Sequence, residues 1–130
     1  MREILFRGKR LDNGAWETGS LVIVRMDCHD AQYYIADKMT GYHTPVDPST
    51  VGQYTGLKDK NGKRIFEGDV AKVLQGKDKD IAYVGFENGA FMLYPKTGNI
   101  YERTLWEYWY NDWDVEVIGN ITDNPELLEK

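Results

Sequence analysis

Turn-forming residues interrupt this chain about every ten residues, and this spacing is the feature that most limits its fold. The segments between the turns are short and rich in β-branched and aromatic residues, which favours strands over helices. Short strands at this spacing are typical of a meander that curls into a small barrel or roll. We predict strands at 33–36, 51–55, 69–74, 81–86, 90–94 and 115–121.

An Asn-Gly pair, Asn13 and Gly14, separates two further strand-like runs at 4–11 and 15–24. Both residues tolerate a positive φ, so the pattern predicts an N-terminal β-hairpin. Trp16 directly follows the turn, and we predict that it packs in the core. Truncation of a buried Trp costs about 3–5 kcal/mol of stability.

The other segments are less regular. Gly41, Pro45 and Pro48 predict an irregular connection over 37–49. Segment 101–113 fits either a helix or a strand, and we favour a short helix or an irregular segment. Asn124 followed by Pro125 is typical of a helix start and predicts a short C-terminal helix of about two turns.

Together these elements predict a mainly β fold, a small SH3-like barrel or roll with an N-terminal β-hairpin and a short C-terminal helix. The run 67–70, Glu-Gly-Asp-Val, resembles the entry to the first strand of many SH3-like barrels. The 130 residues suit one domain over 1–130. A hairpin subdomain at 1–56, packed on a barrel element at 57–130, is left open.

Composition narrows the classes of function. A single cysteine excludes an internal disulfide, which favours a reducing cytoplasm, and we find no signal peptide or membrane span. The net charge of −5 opposes attraction to nucleic-acid phosphates. Basic clusters at 2–10 and 58–64 leave open an alternative, a nucleic-acid-associated small barrel that uses one basic face.

The sequence contains no recognisable catalytic, cofactor or metal motif. No glycine-rich loop with phosphate-binding spacing is present. Cys28 and His29 are adjacent, but neighbouring side chains on a strand point to opposite faces, and a zinc site would need further ligands from carboxylates. We therefore expect a protein that is not an enzyme and that has no catalytic residues, no cofactor, no metal and no small-molecule ligand.

The order of several motifs resembles the YopX family of bacteriophage and prophage proteins. The resemblance rests on ILFRGK at 4–9, Trp16, Gly19, VDPSTVGQYTGLKDKNG at 46–62, IFEGD at 65–69, VIGNI at 117–121 and DNPELL at 123–128. Residues 26–44 and 95–113 follow no pattern of the family. The resemblance implies a β-rich fold with an SH3-like element, a phage or prophage origin and action in the cytoplasm of a bacterial host. It implies no activity and no site residues.

The central run of the resemblance has two interpretations. Its glycines suit turns, so the run can serve as a scaffold. Its polar residues can instead form a binding surface, and the candidates are Asp47, Gln53, Tyr54 and Asp59.

Segment 101–113 combines aromatic and charged residues, and we predict that it contacts a protein partner or a second copy of the chain. Three of the four tryptophans lie in it. Trp and Tyr are enriched at the centres of interfaces. The candidate contact residues are Tyr101, Trp106, Tyr108, Trp109 and Trp113. In the alternative, Leu105, Trp106 and Trp109 cover the open end of the barrel. The hypothesis for function is an accessory protein that acts through protein–protein contacts.

Overall fold

The computed structural model describes residues 2–25, 27 and 30–129. The chain divides into two compact units, one up to Tyr54 and the other from Thr55 onward. The sequence places a possible boundary after residue 56, and the single domain over 1–130 stays a prediction. No described helix is long and apolar enough to cross a membrane.

The first unit is built from antiparallel strands. They are β1 Phe6–Lys9, β2 Trp16–Val24, β3 Gln32–Ala36, β4 His43–Pro45 and the start of β5 Gly52–Lys58. The predicted hairpin is confirmed, because β1 pairs with β2 with Lys9 opposite Trp16, and Gly14 has a φ of 72° in the turn. The predicted irregular connection over 37–49 is wrong in part, since it contains β4 and enters a 3₁₀ turn at Pro48–Thr50.

Trp16 is not a core residue, which corrects the prediction from the sequence. Its side chain is half-buried, and the Arg7 guanidinium lies 4.7 Å and the Lys9 ammonium 5.7 Å from the ring centroid. Arg7 and Lys9 alternate with buried Gly8 on β1, so they share the face of the hairpin on which Trp16 lies. The indole therefore lies beneath the charged groups of two basic side chains.

The second unit continues with six strands and one helix. They are β6 Arg64–Phe66, β7 Asp69–Gln75, β8 Asp78–Glu87, β9 Ala90–Pro95, β10 Arg103–Thr104, α1 Leu105–Tyr110 and β11 Asp114–Asn120. The strand orders are β4-β3-β2-β1-β5-β6 in a six-stranded sheet and β10-β9-β8-β7-β11 in a five-stranded sheet. The mainly β prediction is confirmed, and α1 agrees with the short helix favoured for 101–113.

Two predicted details are wrong. No pairing among the described residues joins β10 to β11, so the five-stranded sheet is open and no closed barrel forms. The C-terminal helix is a single 3₁₀ turn at Pro125–Leu128. Asn124 does not cap it with its side chain, because that side chain accepts a hydrogen bond from the backbone N–H of Asn120 instead.

The core of the second unit lies between one face of its five-stranded sheet and α1. The buried side chains alternate along β8, as expected when one sheet face is covered, whereas β7 begins with three consecutive buried residues at 69–71. This core comprises Ile65, Ala71, Val73, Ala82, Val84, Leu93, Ile100, Leu105, Tyr108 and Val115.

Candidate functional site

The helix α1 begins where its first turn is capped. The Thr104 hydroxyl accepts a hydrogen bond from the backbone N–H of Glu107, which satisfies a donor that the first turn leaves without a partner. The Glu107 carboxylate also pairs with Arg103 at 3.1 Å. After Tyr110 the helix ends at Asn111, and Asp112 takes a φ of 55°. The cap at Thr104 and the chain reversal at Asp112 define the two ends of α1 and thereby which of its side chains face the core.

The aromatic segment is divided between core and surface. Leu105 and Tyr108 lie three positions apart and are buried, since a helix turns 3.6 residues per turn. Trp106, Trp109 and Tyr110 point outward, with exposed fractions of 54%, 63% and 67%. We call these three residues the aromatic face. The predicted contact residues Trp106 and Trp109 are therefore accessible.

Tyr108 is wrongly assigned as a contact residue, because only 1% of it is exposed. Its ring meets the edge of Trp113 with centroids 5.3 Å apart. Its hydroxyl is buried and has no hydrogen-bond partner among the described residues. Burial raises the pKa of the Tyr108 phenol to about 12. A side chain that is buried in the free protein, as that of Tyr108 is, cannot form a contact with a partner.

The aromatic face is preorganised by stacking. The rings of Trp106 and Tyr110, one helical turn apart, are 4.9 Å apart between centroids and 22° from parallel. The sequence analysis did not predict Tyr110 as a contact residue. Its position four residues after Trp106 would have indicated the stacked pair if the segment had been assigned as a helix. Tyr101 is exposed before the helix, and Trp113 is half-buried beneath the Arg103 guanidinium.

A cleft of about 310 Å³ lies beside the aromatic face. Its walls are the end of β5 with the turn that follows it and the segment from α1 into β11, and Ile65 and Val115 are among its buried residues. Trp109 belongs both to the cleft and to the aromatic face. The cleft is lined by Leu57, Lys58, Asp59, Lys60, Ile65, Leu105, Tyr108, Trp109, Asp112, Trp113, Asp114 and Val115.

Asp59 holds the two walls of the cleft together. One of its oxygens accepts hydrogen bonds of 2.9 Å from the backbone N–H groups of Asn61 and Lys63. The other accepts a hydrogen bond from the N–H of Val117, also at 2.9 Å. Burial by itself would raise the pKa of the Asp59 carboxyl, but these three N–H groups outweigh it and lower that pKa below its usual value.

The rim of the cleft carries both signs of charge. Lys58 and Lys60 lie on one wall, and Asp112 and Asp114 lie on the other, all exposed. Within residues 2–25, 27 and 30–129, none of these four side chains forms an ion pair. Their charges are therefore available to groups outside the chain.

The four polar candidates of the central run are mainly structural. Asp47 caps the 3₁₀ turn by accepting from the N–H and hydroxyl of Ser49, Tyr54 is buried, and Gln53 pairs with Phe6 through β5 and β1. Asp47, Gln53 and Tyr54 belong to the first unit and Asp59 to the second. These contacts favour the scaffold interpretation, and of the four residues only Asp59 lines the cleft.

The sequence also predicted possible basic and metal-binding groups in other segments. Arg10 of the N-terminal basic cluster pairs with Asp12 and Glu17, so its charge is compensated. No group of three His, Cys, Asp or Glu that could hold a metal ion occurs among the residues that the structure describes. Cys28 and His29 lie outside those residues.

Two crystal structures resemble this fold. One is a protein from Enterococcus faecalis that is 23% identical in sequence, with a TM-score of 0.59. The match covers 99% of this chain and 100% of the Enterococcus faecalis chain. The other is the YopX protein of Bacillus subtilis, 21% identical, with a TM-score of 0.59 and coverages of 96% and 98%. Both show similarity of fold. No curated protein matches the sequence at a significant level.

The family model supplies the assignment that these distant structures cannot. The model described as YopX protein matches residues 5–129, which is nearly the whole chain. The motifs on which the resemblance rests lie in that range, apart from the first residue of ILFRGK. This chain belongs to the YopX family.

Proposed function

We propose that this protein is a phage or prophage accessory protein that works in the host cytoplasm by binding another protein. The binding surface is the aromatic face together with the adjoining cleft, and no catalytic step or cofactor is involved. The single observation that carries the proposal is that Trp106, Trp109 and Tyr110 all project outward from one short helix.

Physical reasons favour a protein as the partner. Exposed Trp and Tyr bury large areas on contact and lose little side-chain entropy, which is why they dominate interface energies. A concentrated aromatic surface without a partner promotes aggregation. The stack of Trp106 on Tyr110 also reduces the ordering that binding would require.

The cleft supports a more specific proposal for the chemistry of the partner. Its volume suits one large apolar side chain beside Trp109 and Trp113, and Ile65 and Val115 supply apolar contacts. The lysines on one wall and the aspartates on the other favour a segment with an acidic and a basic residue on either side of that anchor. We therefore expect an apolar anchor flanked by charges of opposite sign.

A second candidate is a nucleic-acid-associated factor, since bases stack on exposed aromatic side chains and Lys58 and Lys60 lie near Trp109. Asp112 and Asp114 on the opposite wall repel a phosphate backbone, as does the net charge of −5. Protein binding is the better supported of the two.

The test compares partner capture by the parent and by Trp109→Ala. Tagged protein is captured from induced host cells, the stoichiometric partner is identified and purified, and its affinity for each variant is measured. Loss of Trp109 is expected to weaken binding by at least about 30-fold, which corresponds to a hot-spot contribution of about 2 kcal/mol. The melting temperature should stay close to that of the parent.

Tyr42→Ala is the matched control, because Tyr42 is 71% exposed and lies in the first unit. It should leave the affinity unchanged. Equal weakening by both variants, or no weakening by Trp109→Ala, would contradict the proposal.

Salt-dependent retention of the parent on DNA or RNA, lost in Trp109→Ala, would favour the nucleic-acid candidate instead. Light scattering of the parent shows whether the partner is a second copy of the chain.

A further inference from the structure

A second cavity, of about 300 Å³, lies in the second unit and shares no residue with the cleft. It is lined by Lys72, Lys79, Asp80, Ile81, Lys96, Thr97 and Asn99. We propose that it binds a phosphate monoester, with the phosphoryl group held among the ammonium groups of Lys72, Lys79 and Lys96. The proposal does not depend on the protein-binding function. It differs from the expectation from the sequence, which was that the protein has no small-molecule ligand.

The pairing register of the sheet brings the three lysines together. Lys72 on β7 lies opposite Ile81 on β8, and the backbone N–H of Lys96 donates to the Ile81 carbonyl on the other side. Lys72, Ile81 and Lys96 therefore form one row across the sheet. Lys79 lies two residues before Ile81 and points to the same face, because side chains alternate along a strand. Such neighbours are within reach of each other's long side chains.

The face that carries these lysines is the one turned away from the core. Lys72 lies between buried Ala71 and Val73, and Lys79 precedes buried Asp80. In the register Lys79 is a diagonal neighbour of Lys72, so the two like charges repel each other less than a directly opposed pair would. An anion bound among the lysines lowers this repulsion.

The two carboxylates around the cavity accept hydrogen bonds from groups other than the lysines. Asp80 is only 6% exposed, and its oxygens accept hydrogen bonds from the N–H of Ile81, from the N–H and hydroxyl of Thr97 and from the N–H of Asn99. Glu116 lies opposite Lys72 on β11 but accepts from the Asn61 amide, at 3.3 Å. Within the described residues, neither carboxylate forms an ion pair with Lys72, Lys79 or Lys96.

Asp80 instead shapes the wall of the cavity. Its hydrogen bonds to Thr97 and Asn99 fix the loop after β9, in which Gly98 has a φ of 80°. Burial by itself would raise the pKa of the Asp80 carboxyl, but these hydrogen bonds outweigh it and lower that pKa. The Lys96 ammonium donates a hydrogen bond of 3.2 Å to the Leu127 carbonyl. That carbonyl has no net charge and does not neutralise the ammonium.

The arrangement suits phosphate better than carboxylate. A phosphoryl group has three terminal oxygens and can accept one hydrogen bond from each of three ammonium groups, whereas a carboxylate offers two oxygens in one plane. The cavity is at the lower end of the size range of ligand pockets and holds more than a phosphate ion. The organic part of the ester would lie against Ile81.

The test uses calorimetric titration with three probes: adenosine monophosphate, inorganic phosphate and succinate. The parent is expected to bind adenosine monophosphate more tightly than phosphate, and succinate least. Lys72→Gln and Lys96→Gln should each weaken binding by about tenfold or more. Lys77→Gln is the matched control, because Lys77 is exposed in the turn between β7 and β8 and does not line the cavity.

A thermal shift provides the second readout, since a ligand that binds only the folded state raises the melting temperature, and the rise grows with the logarithm of the ligand concentration once this exceeds the Kd. If neither phosphate compound binds at concentrations up to about 10 mM, the proposal is overturned, because a Kd above that concentration corresponds to very little affinity. Equal weakening in the Lys77→Gln control would also overturn it. Binding of oligonucleotides without binding of the monophosphate would assign the lysines to nucleic acid and reject the small-ligand site.

Discussion

The carboxylate of Asp59 accepts a hydrogen bond of 2.9 Å from the backbone N–H of Val117, which lies 58 residues later in the chain. The same carboxylate accepts from two N–H groups of its own turn. One side chain therefore closes a local turn and attaches it to β11. This bond aligns the walls of the cleft beside the aromatic face.

The first prediction concerns this bond. Asp59→Asn should lower the free energy of unfolding by about 1–3 kcal/mol, because the amide nitrogen cannot accept from the Val117 N–H. Urea denaturation measures the change. Asp112→Asn is the control, since Asp112 is exposed and Asn tolerates its positive φ. An Asp59→Asn protein as stable as this control would show that the bond contributes nothing.

The second prediction concerns acid stability. The folded-state pKa values of Asp59 and Asp80 are lowered, so the unfolded chain binds more protons than the folded chain in the acid range. Their contribution is full above the unfolded pKa of about 3.9 and is lost as the pH falls through the folded values. Between pH 7 and about pH 3, Asp80→Asn should therefore lose less stability than the parent. Identical pH profiles would refute this linkage.

The third prediction separates the two faces of α1. Tyr108→Ala should cost about 3–5 kcal/mol, as expected for a buried aromatic side chain, whereas Trp109→Ala should leave stability within about 0.5 kcal/mol. Tyr108→Phe should stabilise the fold, because it removes a buried hydroxyl that has no partner among the described residues. A Phe variant less stable than the parent would indicate that the hydroxyl is hydrogen-bonded.

The fourth prediction concerns a glycine beneath an aromatic ring. A Cβ on Gly85 would lie 2.5 Å from Cε2 of Tyr94, so Gly85→Ala must displace the ring and should cost about 1–3 kcal/mol. Removal of the ring should relieve the clash. In the double variant with Tyr94→Ala, the cost of the alanine at position 85 should therefore shrink. Additive costs in thermal unfolding would contradict direct contact as the cause.

The open sheet and the shortened C-terminal turn show where local reasoning fails. A strand pattern gives the strands but not whether the last one pairs with the first, since that depends on hydrogen bonds between distant segments. The pattern Asn124-Pro125 is a helix start, yet the Asn124 side chain accepts from Asn120 and is unavailable as a cap. Competing partners of this kind cannot be read from neighbouring residues.

Local sequence patterns are sufficient to predict the β class, the hairpin at Asn13 and Gly14 and most strand positions, because turn residues and side-chain alternation act over a few residues. They also indicated the aromatic segment. That Tyr108 faces the core while Trp109 faces outward depends on how α1 packs against the sheet. The same holds for the three lysines of the second cavity, which lie on or just after three different strands and meet only through the register of β7, β8 and β9. Helix rotation and strand register are set by packing between distant residues, and a linear pattern does not contain them.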